Sequence, residues 1–117
     1  LGSIEQEIME AIEAGRTGFA GGWVSSLHLD RLLTQKRADR AIPAGKRRDL
    51  MRSLGYDWHP ALKDGRANNT IMIDGGKPRL YIKVGHIHSN LESPAEVAKQ
   101  YAAAQGDVGA LAMVGNS

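Results

Sequence analysis

The sequence predicts one domain of the α+β class, on three observations. Apolar residues recur at helical spacing in the first half of the chain, strand-like runs follow, and a capped helix comes last. The chain of 117 residues has the size of one domain, and its 42% hydrophobic and 24% charged residues are ordinary globular values. It contains no cysteine, which excludes disulfides and thiolate metal sites and fits a reducing compartment.

Neither a membrane span nor a signal peptide is predicted. No apolar run approaches the roughly 18 residues that a span needs, and the N-terminus lacks a basic-then-apolar layout. Residues 1–3 (LGS) look like the remnant of a protease-cleavage linker. We therefore expect a domain over 4–105, cut from a longer cytoplasmic protein, and a flexible tail over 106–117.

The first helix is predicted over 4–14. Ile4, Ile8 and Ile12 recur every four residues, and Gly15 is a natural end for the helix. Four glycines between 15 and 22 then indicate irregular structure.

A minimal strand at 23–24 and two further helices come next. Ser25 or Ser26 can cap the second helix, whose apolar face consists of Leu29, Leu32 and Leu33. Pro43 ends this helix, because the residue before a proline is pushed out of the helical region. Residues 44–54 read as the third helix, and the following segment 56–69 as a loop.

A β-hairpin is predicted from strands at 69–74 and 78–84, joined by 75–77. Its second strand alternates with a period of two, which is typical of a half-buried strand. The predicted inward residues are Leu80, Ile82 and Val84, and the predicted outward residues are Lys77, Arg79, Tyr81 and Lys83.

The last helix is predicted to begin at Ser93-Pro94-Ala95-Glu96, which combines a capping box with proline at the first helical position. It should end at Gly106 and turn inward Val97, Tyr101 and Ala104. Three helices followed by a hairpin match the winged-helix plan, a helix-turn-helix variant with a β-ribbon and here an extra C-terminal helix. A generic α+β domain is the alternative.

The charges are unevenly distributed along the chain. Residues 1–30 carry one cation and five acids, whereas residues 31–66 carry ten cations and four acids. Such asymmetry favours a polyanionic partner, although a solubilising surface would give the same pattern.

The third helix is the predicted DNA-reading element. Arg48 and Arg52 lie opposite the apolar direction that Leu50 and Leu54 define. In a helix-turn-helix this element enters the major groove, where an arginine fork can pair with guanine. The alternative is a solvated face with an ion network around Asp49. The full predicted DNA-binding set is Lys46, Arg47, Arg48, Arg52, Lys63, Arg66, Lys77, Arg79 and Lys83.

The hairpin and the loop before it give weaker predictions. The outward cations could lie along phosphates as a wing, or could belong to an ordinary hairpin. Tyr56 and Trp58 could stack on bases, but core packing is the commoner role of such a tryptophan.

No catalytic, metal or cofactor site is predicted. His59, His86 and His88 have no cysteine or carboxylate at ligand spacing. The sequence also contains neither a nucleophile elbow nor a phosphate-binding loop. We therefore expect a module that is not an enzyme.

Several runs of the sequence, GWVSSLHLDRLL, IPAGKRRDLMRSLGYDWHPALKDGRANNT, DGGKPRLYIKVGH and SPAEVAKQYAAAQ, suggest a family. Together they resemble the C-terminal winged-helix region of phage- and plasmid-type replicative primase–helicases, over about residues 15–105. Those are multidomain superfamily-3 proteins that handle origin or template DNA. The resemblance implies that a parent protein supplies ATP hydrolysis or priming in a bacterial or phage-infected cell, and that this piece supplies DNA contact. No ATPase signature is present here, so nothing catalytic carries over.

Duplex DNA, favoured over single strands, is therefore the predicted partner. The first alternative is an interaction domain that docks a replication partner or a neighbouring protomer through the acidic first helix, with Glu5, Glu7, Glu10 and Glu13. A hydrolase or nuclease accessory is a more distant alternative.

Overall fold

The computed structural model describes residues 3–66 and 77–106. These residues form four α-helices and a three-stranded antiparallel sheet, which confirms the α+β class. The helices are α1 (Ser3–Glu13), α2 (Ser26–Gln35), α3 (Ala44–Ser53) and α4 (Pro94–Ala104), and the strands are β1 (Trp23–Ser25), β2 (Tyr56–Trp58) and β3 (Leu80–Lys83). The predicted hairpin strand at 69–74 and the predicted tail beyond Gly106 lie outside the described residues.

The sheet has the order β1-β3-β2, so that β3 is its central strand, with β1 on one side and β2 on the other. The prediction that this segment is the second strand of a two-stranded hairpin is therefore wrong, because both edges of β3 are paired with strands that come before residue 59. Tyr81 of β3 is opposite Val24 of β1 and Trp58 of β2. The prediction of a loop over 56–69 is wrong at its start, because Tyr56–Trp58 is a strand. Its three residues, between a glycine and a His-Pro, are too few to establish a period of two.

Both faces of the sheet are covered by apolar clusters. One cluster contains Val24 and Tyr81 together with buried residues of α1, α2 and α3. The other contains Trp23 and Ile82 together with Val97 and other buried side chains of α4 and the segment after β2. The prediction that Tyr81 points outward is therefore wrong: its face of the sheet is buried against the three helices, and only 3% of the residue is exposed.

The burial of Leu80 and Ile82 is confirmed, whereas the predicted burial of Val84 is wrong. Strand β3 ends at Lys83, and the Val84 N–H donates to the Gly55 carbonyl oxygen at 2.9 Å. Val84 lies past the last paired residue and is 70% exposed. The alternating pattern continued in the sequence for one residue beyond the strand.

The helices agree closely with their predicted bounds, but the serine caps do not form. Ser25 and Ser93 precede α2 and α4, yet neither side chain makes a capping hydrogen bond. The Ser26 hydroxyl instead accepts the backbone N–H of Arg79 at 2.8 Å, which joins the start of α2 to the residue before β3. The predicted inward residues Val97 and Tyr101 of α4 are buried.

One amide side chain after α4 holds the glycine-rich segment between α1 and β1. The Gln105 Oε1 accepts the backbone N–H groups of Gly18 and Ala20 at 2.7 and 3.1 Å. Its Nε2 donates to the Ala20 carbonyl oxygen at 3.0 Å. Gln105 thus pairs three backbone groups of a segment that has no helix or strand to pair them.

Candidate nucleic-acid interface

Helix α3 presents one apolar and one basic side. Met51 is buried in the cluster of α1, α2 and α3, and Leu50 and Leu54 pack against it half-buried. Arg48 and Arg52 leave this side and extend toward β2, with side chains 42% and 59% exposed. This agrees with the helical-wheel prediction, because the two arginines are one turn apart and lie opposite Leu50 and Leu54.

Asp57 of β2 forms ion pairs with both arginines. The Arg48 Nε donates to Oδ1 at 2.9 Å, and Nη2 donates to Oδ2 at 3.4 Å. The Arg52 Nε lies 3.8 Å from Oδ2. The hydrogen bond with Arg48 lowers the pKa of Asp57, and the same bond raises the pKa of Arg48. The ion network predicted around Asp49 is thus centred on Asp57 among the described residues.

Trp58 joins α3 to the start of β3. The guanidinium carbon of Arg48 lies 4.0 Å from the centroid of the indole ring, and that of Arg79 lies 4.6 Å from it. Both distances are within the range of a cation–π interaction. Trp58 also packs half-buried against the core cluster, which confirms the commoner role predicted for it, and Tyr56 is buried within that cluster, where no base can stack on it. The contacts of Trp58 with the two arginines bring predicted residues of the helix and of the hairpin into one basic surface.

Arg47 differs from its neighbours in α3. Its Nη1 donates to the Asp30 carboxylate at 2.6 Å, and its Nε donates to the Ile42 carbonyl oxygen at 3.0 Å. Only 15% of its side chain is exposed. Arg47 ties the start of α3 to α2, and its guanidinium has less freedom to reach a partner than that of Arg48 or Arg52.

The remaining predicted cations are exposed around this surface. Arg66 forms an isolated antiparallel bridge with Arg79, so two arginines stand side by side at the end of the sheet. Lys83 is opposite Tyr56 near the other end of β3. The exposed residues of the predicted set are Lys46, Arg52, Lys63, Arg66, Lys77 and Lys83. We use the name basic surface for Arg48, Arg52, Arg66 and Arg79 around Trp58.

Sequence reasoning did not assign Asp57 to the site. The residue lies nine positions after Arg48, a separation that no helical or strand period connects. Its carboxylate is fixed locally, because Oδ1 also accepts the Trp58 backbone N–H at 2.7 Å. An acid between the two aromatic residues of a basic segment could have been noticed, but its partner depends on how β2 packs beside α3.

The rings of His59 and His86 form hydrogen bonds with the backbone, whereas the buried Nδ1 of His88 forms none within the described residues. His59 is fully buried, and both of its ring nitrogens form hydrogen bonds with backbone groups. The His86 Nδ1 accepts the His88 N–H at 3.1 Å. Within residues 3–66 and 77–106, no group of three or more histidines and acids is placed to hold a metal ion.

Comparison of the chain with protein-family models, with curated proteins and with solved structures finds no match. None of the helices in the described part of the chain has the length and apolar character to cross a bilayer.

Proposed function

We propose that this domain is a winged-helix module that grips duplex DNA with α3 and with the cations that flank β3. The order of elements supports the proposal: helix, strand, two helices, then two strands that pair with each other, with β1 completing the sheet. In this proposal, β2 and β3 correspond to the β-ribbon that follows the third helix of a winged helix.

The observation that carries the proposal is the shared contact of Arg48 and Arg79 with Trp58. It aligns cations from α3 and from the end of β3 on one side of the domain. Phosphates of a duplex can be contacted from both elements at once, because side chains on both elements supply the positive charge.

A role in phage or plasmid DNA replication rests on the resemblance of the sequence alone. In that proposal a larger replication protein supplies the chemistry, and the domain supplies its contact with DNA. The alternative of docking through α1 has less support, since Glu7 of its acidic face is already paired with Lys36 of α2 at 3.4 Å.

The test is a titration of a labelled duplex and of its labelled single strand at about 50 and 200 mM salt. Phosphate contacts make the affinity fall steeply between these conditions, whereas apolar docking does not. We expect tighter binding of the duplex, and a loss of duplex binding in Arg48→Ala/Arg52→Ala. The free energy of unfolding of this variant should fall, because the Arg48–Asp57 hydrogen bonds are lost, so both proteins are compared at a temperature where each is folded.

The matched control removes two cations elsewhere, in Arg16→Ala/Lys99→Ala. Arg16 follows α1, and Lys99 is exposed on α4, which packs on the opposite face of the sheet from α3. Equal duplex affinity of the two double variants, or a duplex affinity that does not change with salt, would refute the proposal.

A further inference from the structure

We propose that Arg48 reads one guanine of the bound duplex, and that Asp57 is the positioning residue that holds it for this contact. The inference rests on the proposed DNA-binding function and names the feature of DNA that the same surface recognises. Among the arginines of the basic surface, Arg48 is held by both a carboxylate and an aromatic ring.

The Arg48 guanidinium is fixed in both position and plane. Asp57 accepts two of its hydrogen bonds, at 2.9 and 3.4 Å, and the Trp58 ring lies 4.0 Å from its central carbon. The carboxylate is itself held by the Trp58 backbone N–H at 2.7 Å. The acid and the tryptophan are consecutive residues of β2, so that one short strand supplies the whole support.

The donors of Arg48 that remain match guanine. A guanidinium has five N–H donors, and Asp57 takes one on Nε and one on Nη2. The remaining donors are on Nη1 and Nη2, at the edge that Asp57 leaves open. Two adjacent N–H groups of this kind pair with O6 and N7 of guanine in the major groove. The Arg48 side chain is 42% exposed.

Asp57 would be a disadvantage in a surface that bound phosphate alone. Its negative charge lies among the cations and opposes an approaching phosphate. A fixed arginine, in contrast, loses little side-chain freedom on binding, so the acid helps a contact that depends on orientation. Arg52 is held less closely, because its Nε lies 3.8 Å from Asp57 and its side chain is 59% exposed. It fits a phosphate contact, which depends less on orientation.

The experiment first selects preferred sites from a random duplex pool with the wild-type protein. In the selected duplex, each guanine is then replaced in turn by 7-deazaguanine, which lacks the N7 acceptor and keeps its base pairing. We expect one position at which this replacement weakens binding about tenfold, within the range for a bidentate arginine contact. In Arg48→Ala the replacement at that position should have no further effect.

Asp57→Asn should strengthen one affinity, which a loss of structure would not do. It removes a negative charge, so binding of a scrambled duplex should strengthen, while the ratio of selected to scrambled affinity should fall about tenfold. Arg48→Lys keeps the charge and removes the fork, and it should lose the same ratio without strengthening scrambled binding. This second variant decides the question if Asp57→Asn fails to fold.

The outcomes separate the inference from the proposed function. A wild-type protein without salt-dependent duplex binding would refute both. Salt-dependent binding with no selected guanine, or with a preference that survives in Arg48→Ala and Arg48→Lys, would overturn the inference and leave the DNA-binding function standing.

Discussion

The imidazole of His59 lies nearly parallel to the indole of Trp23, with 5.6 Å between the ring centroids and 11° between the planes. Both side chains are fully buried. The His59 Nδ1 accepts the Ala61 N–H at 3.0 Å, so Nε2 carries the proton that it donates to the His88 carbonyl oxygen at 2.8 Å. These bonds fix one neutral tautomer, and protonation of Nδ1 would break the bond from Ala61.

We expect the free energy of unfolding to fall as the pH drops below about 6.5, the ordinary pKa of histidine. Burial lowers the pKa of His59 in the folded protein, so the unfolded chain takes up a proton first. The stabilisation is complete above the pKa that His59 has in the unfolded chain. It is lost between that pKa and the lower pKa of His59 in the folded protein, by at most about 1.4 kcal/mol per pH unit. Urea denaturation at about pH 7, 6 and 5 measures this slope.

The matched variant is His59→Gln, which keeps an N–H donor for the His88 carbonyl and cannot titrate. Its slope should be smaller than that of the wild type. Burial also lowers the pKa of His86, so His59→Gln/His86→Gln should be flatter still. Identical slopes in all three proteins would show that these histidines do not link pH to folding.

Gln105→Ala should lower the free energy of unfolding by about 2–3 kcal/mol, because it leaves backbone groups of Gly18 and Ala20 unpaired. The control is Gln100→Ala. Within the described residues the Gln100 amide donates to Glu96 one turn earlier in α4, and loss of this bond should cost within about 0.5 kcal/mol. Chemical denaturation measures both, and equal losses would contradict the role given to Gln105.

A pair of glycine substitutions tests the support of the basic surface. Gly65 has φ +72°, and a Cβ there would lie 2.7 Å from the Trp58 Cγ. Gly65→Ala should therefore cost more than about 1 kcal/mol and weaken duplex binding by displacing Trp58 from the two arginines. Gly45→Ala in α3 is the control, because a Cβ there meets nothing within 4 Å. It should gain up to about 1 kcal/mol with unchanged binding, and reversed effects would contradict the packing described.

The four helices could be predicted because each has its own apolar stripe or proline boundary, as Ile4, Ile8 and Ile12 illustrate for α1. Strand β2 could not, since three residues carry no measurable period. The burial of Tyr81 could not be predicted from the sequence either, because it depends on helices packing on the second face of the sheet. The basic residues of α3 could be listed from the sequence, and helical spacing places Arg47 on the side of Leu50, Met51 and Leu54. The acids that hold Arg47 and Arg48, Asp30 and Asp57, could not be predicted, because both pairings depend on how other elements pack beside α3.

Substitution of Arg47 should lower mainly the stability, and substitution of Arg52 should lower mainly the duplex affinity. Arg47→Ala removes bonds to Asp30 and to the Ile42 carbonyl and should cost about 1 kcal/mol of unfolding free energy, with little change in duplex affinity. Arg52→Ala should change stability by less than about 0.5 kcal/mol and weaken the duplex complex. Melting curves and duplex titrations on both proteins check this, and a larger affinity loss in Arg47→Ala would place Arg47 at the interface instead.

The cations that flank Trp58 at the two ends of β3 should act through phosphates. Arg66 is opposite Arg79, and Lys83 lies four residues further along, about 13 Å away at the rise of a strand. Neither Arg66 nor Lys83 has a rigid acid-and-aromatic support like that of Arg48 in the described part of the chain. We therefore expect them to position the duplex without reading its sequence.

Arg66→Ala/Lys83→Ala should weaken selected and scrambled duplexes equally. It should also reduce the slope of log affinity against log salt by about one unit for each phosphate that is no longer neutralised. Arg48→Ala should weaken the selected duplex more than the scrambled one. Lys99→Ala, on the opposite side of the sheet, should leave both slope and preference unchanged, which controls for net charge. A loss of preference in Arg66→Ala/Lys83→Ala, together with full preference in Arg48→Ala, would mean that β3 and its flanking segment read the sequence and α3 only grips the backbone.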